Sequence, residues 1–241
     1  MFDQAVVDPE TADGAPEPQE VIRELQARIR RMQRNRLDTR ELPTDPAFAD
    51  LLPGGALAAG GCYVVTGSTT LALGLLQAPS AAGAWCAVVG MPDLGVEAAA
   101  GLGVDLERLV LVPHPGDQWL AVVSALIDVV SVVLVHPPLR DGRVRITEGT
   151  ASRLASRLRQ REAVLISTGE WPRADARLSV TDSSWSGIGS GFGHLAARQV
   201  TVRSTSSRGR QRSRRLWLPG AAQRIAAIQA RTEDRRLRSA G

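Results

Sequence analysis

The amino-acid sequence predicts an α/β protein built on a central, mainly parallel sheet that helices flank on both faces. Between residues 51 and 168, short apolar segments alternate with helical ones, which is typical of parallel strands buried on both sides. After Arg173 the pattern changes to strands joined by Gly- and Ser-rich turns, without helices between them. We therefore expect antiparallel strands to be added at one edge of the sheet.

Each strand of the expected core is a short, continuous apolar run, because helices cover both of its faces. These runs are residues 63–66, 84–89, 109–112, 132–135 and 163–167. The segments between them are helical in pattern, at about 68–78, 93–103, 117–129 and 149–160. The strands expected at the edge of the sheet are residues 176–181, 198–203 and 214–218.

The chain divides into four segments, of which the core comprises residues 48–220. Residues 1–18 are acidic and contain Pro and Gly, so we expect a disordered tail. Residues 19–47 are predicted to form an amphipathic helix and a linker, because apolar residues recur at spacings of three and four. This stripe consists of Ile22, Leu25, Ile29 and Met32. Residues 221–241 are basic and predict a final helix, at about 221–238, with a tail.

Composition narrows the class of protein further. All 29 basic side chains are Arg, and the sequence pI of about 10.2 favours an acidic partner, although the formal net charge of +4 is modest. No apolar run is long enough to span a membrane and no secretion signal is readable, so we expect a cytoplasmic protein. Cys62 and Cys86 lie in apolar strands and are expected to be buried and reduced.

The order of these elements resembles the RecA/RadA-type ATPase core. The resemblance is closest where strand 85–89 and a helix are followed by Gly101–Leu109, which carries the sequence Leu-Gly-Val-Asp ahead of the next strand. A helix that begins with Asp-Gln-Trp and the strand 132–135 continue the pattern. The segments 198–203 and 214–219 are similar to the paired late strands of RecA. The resemblance implies a RecA-like core for the segment 48–220.

The positions that bind ATP in RecA-like enzymes carry other residues here. A phosphate-binding loop needs several Gly residues, a Lys, and a Ser or Thr for magnesium. The first core strand instead runs into a short segment with one Gly and no Lys: Gly67, Ser68, Thr69 and Thr70. His136 follows the strand that should end in a magnesium-binding acid. Gly90, Met91 and Pro92 stand where RecA-like enzymes have a catalytic Glu. With an alignment shifted by one residue Asp93 could take this place, but it would not replace the missing Lys. We expect no cofactor, no metal and no enzymatic activity.

A RecA-like core without ATPase motifs resembles the ImuA-type accessory proteins of bacterial mutagenesis cassettes. The Arg-only, Ala-rich composition is similar to their actinobacterial branch. The resemblance implies a non-enzymatic adaptor in damage-induced translesion synthesis. Its implied partners are an ImuB-like homologue of the Y-family polymerases and a DnaE-type error-prone polymerase, with RecA and DNA as further candidates. No membrane partner is expected.

Other functions remain open at this point. A RecA-like protein without nucleotide motifs could instead regulate RecA filaments, or inhibit cell division as SulA-type proteins do. A divergent ATPase whose site is completed by a partner's residues is a further alternative. These alternatives differ in what the chain would bind: RecA or the tubulin-like division protein for a regulator, and ATP with magnesium for an enzyme.

Three sets of residues are candidate interaction sites, and each has a purely structural alternative. The stripe of the N-terminal helix either packs on its own core or binds a partner, a second copy of the chain included. Trp185 and Phe192 lie in the Gly- and Ser-rich segment 183–194, which is either a flexible turn or a loop that presents both rings to a partner. The third set is either a solvated turn or a contact for DNA or an acidic protein. It consists of Arg203, Arg208, Arg210, Arg212, Arg214 and Arg215.

Overall fold

The computed structural model describes residues 41–140, 143–144, 146–188, 193–220 and 224–228. The predicted acidic tail and the N-terminal helix with its apolar stripe lie outside these residues. In the part of the chain that is described, no helix is long and apolar enough to cross a membrane.

The described residues form thirteen strands and four α-helices. The strands are β1 (Glu41–Leu42), β2 (Leu57–Ala58), β3 (Cys62–Thr66), β4 (Cys86–Val89), β5 (Leu109–Val112), β6 (Val132–Val135), β7 (Leu139–Arg140), β8 (Arg143–Val144), β9 (Val164–Ser167), β10 (Ala176–Ile188), β11 (Gly193–Ser206), β12 (Gln211–Trp217) and β13 (Ala226–Ala227). The α-helices are α1 (Thr69–Ala81), α2 (Val96–Gly101), α3 (Trp119–Ile127) and α4 (Glu148–Arg161). Short 3-10 helices occur at Pro46–Phe48, Pro53–Gly55, Leu106–Arg108 and Gly116–Gln118.

Nine of the described strands form one sheet, in the order β13-β12-β11-β10-β3-β9-β6-β4-β5. The strands from β10 to β5 run parallel to their neighbours, whereas β11, β12 and β13 extend the sheet antiparallel. The extension therefore joins the sheet beside β3, the first core strand. This architecture confirms the predicted α/β fold with a RecA-like core.

Helices cover the parallel strands on both faces, and each face has its own hydrophobic core. On the first face, α1 and α2 pack on the sheet together with Phe48 and Leu52 from the segment before β3. On the second face, α3 and α4 pack on the sheet together with Trp171. Burial on both sides explains why the core strands are continuously apolar, since Tyr63 faces the first core and its neighbour Val64 faces the second.

The last segment that the structure describes, residues 224–228, differs from its prediction. We expected a helix over residues 221–238, but residues 224–228 are extended and contain β13, which pairs with Leu216 and Trp217 of β12. Ile225 packs on the first core, where its side chain reaches over Gly74 of α1. Pairing with β12 and burial of Ile225 thus outweigh the local helix propensity of this Ala-rich segment. The remainder of the predicted helix lies outside the described residues.

The antiparallel hairpin also differs from its prediction, because β10 and β11 are much longer than the expected strands 176–181 and 198–203. The Gly- and Ser-rich segment 183–194 was predicted to be either a flexible turn or a loop, yet its residues up to Ile188 continue β10. Ladder hydrogen bonds to β11 hold these small polar residues extended, which a pattern of residue types does not show. The tip of the hairpin, residues 189–192, lies outside the described part.

An acidic residue fastens the two helices of the second face to each other. Asp128 follows α3, and one of its carboxylate oxygens accepts hydrogen bonds from Arg157 Nε at 2.9 Å and Arg161 Nε at 3.0 Å, both from α4. The hydrogen bond from Arg157 holds the pKa of Asp128 below its ordinary value. The folded state therefore binds a proton at Asp128 less readily than the unfolded chain does.

We predict that Asp128→Asn lowers the free energy of unfolding at neutral pH by no more than about 1 kcal/mol, because the two arginines are substantially exposed. A lowered pKa contributes stability above the unfolded-state pKa of about 3.9, and this contribution disappears as the pH falls through the folded-state pKa. Denaturant unfolding of both proteins from pH 7 to pH 2 measures this. A difference in stability that persisted in strong acid would contradict the ion-pair account.

Candidate binding surface on the antiparallel strands

At the position where RecA-like enzymes have a phosphate-binding loop, this protein has a two-residue connection. β3 ends at Thr66 and α1 begins at Thr69, so only Gly67 and Ser68 lie between them. Gly67 makes the turn at φ 78°, and the hydroxyl of Ser68 accepts a hydrogen bond from the backbone N–H of Leu71 at 3.1 Å. This cap uses one of the free N–H groups at the start of the helix, which a phosphate would otherwise need. The connection is too short to wrap around a phosphate group.

The carboxyl ends of β4 and β6 are closed by backbone. Gly90 follows β4 at φ 76°, and its N–H donates to Val112 O at 2.9 Å. A Cβ atom at this position would collide with the carbonyl oxygen of His136, which follows β6. The ring of His136 is bonded in turn to the Thr168 hydroxyl, with 2.8 Å between Nδ1 and Oγ1. A carboxylate side chain at position 90 would require the backbone to move.

The six arginines of the predicted basic patch lie in three different environments. The antiparallel strands are covered on the first face only, and no helix of the described chain lies on their second face. We call this uncovered surface of β10, β11 and β12 the open face. Arg203 and Arg215 lie on it and are exposed. The other four arginines lie elsewhere, so the predicted patch is not one surface.

Arg212 and Arg214 point to the first face, where they hold the segment that precedes β3. Arg212 Nη1 donates to the carbonyl oxygens of Asp50 at 3.0 Å and Leu52 at 3.3 Å. Arg214 forms an ion pair with the Asp50 carboxylate, while its buried Nε has no hydrogen-bond partner in the described part of the chain. These two arginines anchor the segment that places Leu51 in the first core.

Arg208 and Arg210 lie at the turn between β11 and β12, and both are exposed. Together with Ser207 and Pro53 they line a groove of about 380 Å³. The backbone N–H of Ser207 donates to Asp175 O, just before β10, so this groove lies at the amino edge of the parallel strands. It is therefore at the opposite end of β3 from Gly67.

A seventh arginine, Arg177 of β10, belongs to the open face and was missed at the level of sequence. Its Nη2 donates to Trp171 O at 2.6 Å, and Glu170 lies 4.0 Å away. Alternation could have identified it, since Ala176 and Leu178 on either side are buried in the first core. In a strand with one covered face, the intervening Arg177 must point to the open face.

The predicted aromatic pair is only partly described. Trp185 is 49% exposed and lies on the part of β10 that extends beyond β3. The Arg198 guanidinium, opposite it on β11, sits 5.7 Å from the ring centroid, which is a cation–π contact. Phe192 and the stripe of the N-terminal helix lie outside the described residues. Whether Trp185 binds a partner stays a prediction.

The described residues contain no cluster of His, Cys, Asp and Glu that could hold a metal ion. Cys62 and Cys86 are free thiols, one in each core. Burial raises the pKa of each thiol to about 12. At neutral pH both therefore stay protonated and are poor nucleophiles.

These features define an α/β protein with a RecA-like core, which has a two-residue connection between β3 and α1 and a basic open face on its antiparallel extension. Residues 50–173 match the model of the family described as the MT3502 N-terminal domain, and the chain belongs to this family. Over 133 residues the chain is 36% identical to a protein of Mycobacterium tuberculosis (strain ATCC 25618 / H37Rv) described as uncharacterized protein Rv3395c. The aligned part covers 54% of this chain and 63%, less than two thirds, of that protein's length. The family match covers β2 to β9 and ends before the strands of the open face.

We predict that Gly90→Ala lowers the free energy of unfolding by at least about 2 kcal/mol, since an L-residue at positive φ is strained and the new Cβ would strike backbone. Gly149→Ala is the control, because a Cβ added at Gly149, in the first turn of α4, meets no heavy atom of the described chain within 4 Å. We expect this control to be neutral or stabilising by up to about 1 kcal/mol. If the two variants were equally stable in urea, the close contact between Gly90 and the backbone of His136 at the carboxyl ends of β4 and β6 would be refuted.

The division of the arginines gives a second test. Arg212→Gln should cost about 1–2 kcal/mol of stability, because it removes hydrogen bonds from a charged donor to two backbone carbonyls. Arg203→Gln, with the same change in charge on the neighbouring strand, should stay within about 0.5 kcal/mol of the unmodified protein. Urea unfolding compares them. A larger loss for Arg203→Gln than for Arg212→Gln would show that the two environments are assigned incorrectly.

Proposed function

We propose that this protein is a cytoplasmic, non-enzymatic adaptor of damage-induced translesion synthesis, of the ImuA type. In this role it joins an ImuB-like homologue of the Y-family polymerases to a DnaE-type error-prone polymerase. The RecA-like arrangement of the sheet and the resemblance of the segment Gly101–Leu109 to RecA support the relationship. The family and the mycobacterial relative are compatible with the actinobacterial branch of such proteins.

The observation that carries the proposal is the two-residue connection between β3 and α1. A RecA-type enzyme grips the β and γ phosphates with a Gly-rich loop and a Lys at this place. Gly67 and Ser68 provide one turn and one helix cap, and the sequence contains no Lys. A protein with this core and this connection acts by binding other macromolecules, and an adaptor is the simplest such function.

The surfaces proposed to bind partners lie away from the carboxyl edge of the parallel strands, where Gly67 and Gly90 are found. The open face supplies positive charge, and the extended part of β10 supplies the exposed ring of Trp185. Exposed aromatic residues and arginines are the types that most often dominate protein interfaces. The proposal therefore assigns partner binding to the antiparallel extension as well as to the segments outside the described residues.

We predict that deletion of the gene lowers damage-induced mutation, and that Thr69→Ala restores it as fully as the natural gene. Thr69 is exposed at the start of α1, where Ala favours the helix. In a nucleotide-dependent protein the loss of this hydroxyl, at the magnesium position, should abolish function. Mutation frequencies after ultraviolet irradiation compare the three strains.

Titration calorimetry and pull-down complete this test. The purified chain should release no heat with ATP and magnesium, and should retain the ImuB-like protein rather than RecA or the tubulin-like division protein. Magnesium-dependent nucleotide binding, or failure of Thr69→Ala to restore mutagenesis, would contradict the proposal. Retention of only RecA or only the division protein would favour the regulator in place of the adaptor.

A further inference from the structure

The arginines of the open face lie on one diagonal of the three antiparallel strands. Arg177 of β10 is opposite Thr205 of β11, and Arg203 is two residues from Thr205 on the same face. Arg203 is opposite Ser213 of β12, and Arg215 is two residues beyond Ser213. Each step of the diagonal thus moves one strand across and two residues along.

The register fixes the spacing of these positive charges. Neighbouring strands are about 4.8 Å apart and two residues span about 6.6 Å, so successive arginines on the diagonal have Cα atoms about 8 Å apart. This spacing is close to the distance between consecutive phosphates along one nucleic-acid strand, and the flexible Arg side chains can absorb the remainder. A line of three arginines whose Cα atoms are evenly spaced fits a repeating chain of phosphates.

The surroundings of the diagonal suit the same ligand. Thr205, Ser213 and Thr201 lie on the open face between the arginines and offer hydroxyl donors for phosphate oxygens. The side chains of Arg203 and Arg215 form no hydrogen bond or ion pair within the described part of the chain, so their donors are available. Arg177 uses its Nη2 for the carbonyl oxygen of Trp171, which leaves its other guanidinium nitrogens for a phosphate.

Two acidic residues lie near these arginines. Glu170 is 4.0 Å from Arg177 Nη2, so a phosphate at Arg177 has to displace the Glu170 carboxylate from this ion pair. Asp182 lies two strands away from Arg215, off the diagonal.

We infer that the open face binds single-stranded DNA through its phosphates, with Arg177, Arg203 and Arg215 each contacting one phosphate. The inference rests on the proposed function, because the template strand of translesion synthesis is single-stranded. It deepens that function by giving the adaptor a direct, sequence-independent contact with the template. An acidic protein fits less well, since its carboxylates do not repeat at one spacing along a line.

The contact has a quantitative signature in salt. Each phosphate neutralised on a single strand contributes about −0.7 to the slope of log K against log salt concentration, so three contacts predict a slope of about −2. Arg203→Gln or Arg215→Gln should weaken binding of fluorescein-labelled oligothymidine several-fold and reduce the slope to about −1.4. The full-length chain is titrated at increasing potassium chloride and read by anisotropy.

Matched variants separate the diagonal from general positive charge. Arg210→Gln removes the same charge at the groove of the amino edge, off the diagonal, and should leave the affinity within about twofold, because a strand that follows the diagonal does not contact Arg210. Arg203→Lys should keep most of the affinity. An equal loss in Arg210→Gln, a slope unchanged by substitution on the diagonal, or tighter binding of a duplex of the same length would each overturn the inference.

A genetic arm distinguishes failure of this inference from failure of the adaptor itself. The variant with Gln at all three diagonal positions should support less damage-induced mutation than the natural chain while still retaining the ImuB-like protein in pull-down. If the deletion strain has lost damage-induced mutation and the variant restores it fully, the adaptor function is supported and the proposed contact with the template is wrong. If the variant binds DNA normally but loses the ImuB-like protein, the open face binds an acidic protein instead.

Discussion

The structure depends on unequal coverage of one sheet. Helices pack on both faces of the parallel strands, but within the described residues the antiparallel strands that follow are covered on the first face only. A strand in the first environment must be apolar at every residue, whereas a strand in the second must alternate. β6 and β9 are completely buried, while β12 alternates between exposed and partly buried positions. The place of each charged residue in the second half of the chain follows from this difference.

The parallel core could be predicted from the sequence because its signals are local. Five apolar runs with helical segments between them gave strands close to those observed, and the order of elements was sufficient for the fold class. The positions of Gly67 and Gly90 could also be located, since each follows a strand that is easily recognised. What the sequence could not show was the collision of a side chain at position 90 with the backbone of His136, which joins residues far apart in the chain.

The antiparallel extension was predicted less well because the faces and partners of its residues depend on contacts that are not local in sequence. A density of arginines between residues 203 and 215 suggested one basic patch, but successive residues of a strand point to opposite faces. Arg212 and Arg214 therefore contact the segment at Asp50, and Arg203 and Arg215 face solvent. The prediction of a final helix was wrong because the pairing of β13 with β12 and the packing of Ile225 on the first core are tertiary effects. Residues with high local helix propensity take an extended form when a neighbouring strand and a core position are available.

The proposed function rests on two features, the short connections at the carboxyl edge of the parallel strands and the basic open face. The fold keeps the layout of a nucleotide-binding core, yet the connection after β3 is used for a helix cap and the ends of β4 and β6 are joined by backbone contacts. Among the described residues, the proposed binding surface is on the strands added beyond β3. Hydrogen exchange of the full chain, with magnesium and ATP or with oligothymidine, tests this division directly. The account predicts protection by oligothymidine in β11 and β12 and no protection by ATP at Gly67–Leu71. Protection of Gly67–Leu71 by ATP, with none in β11 or β12 by DNA, would contradict it.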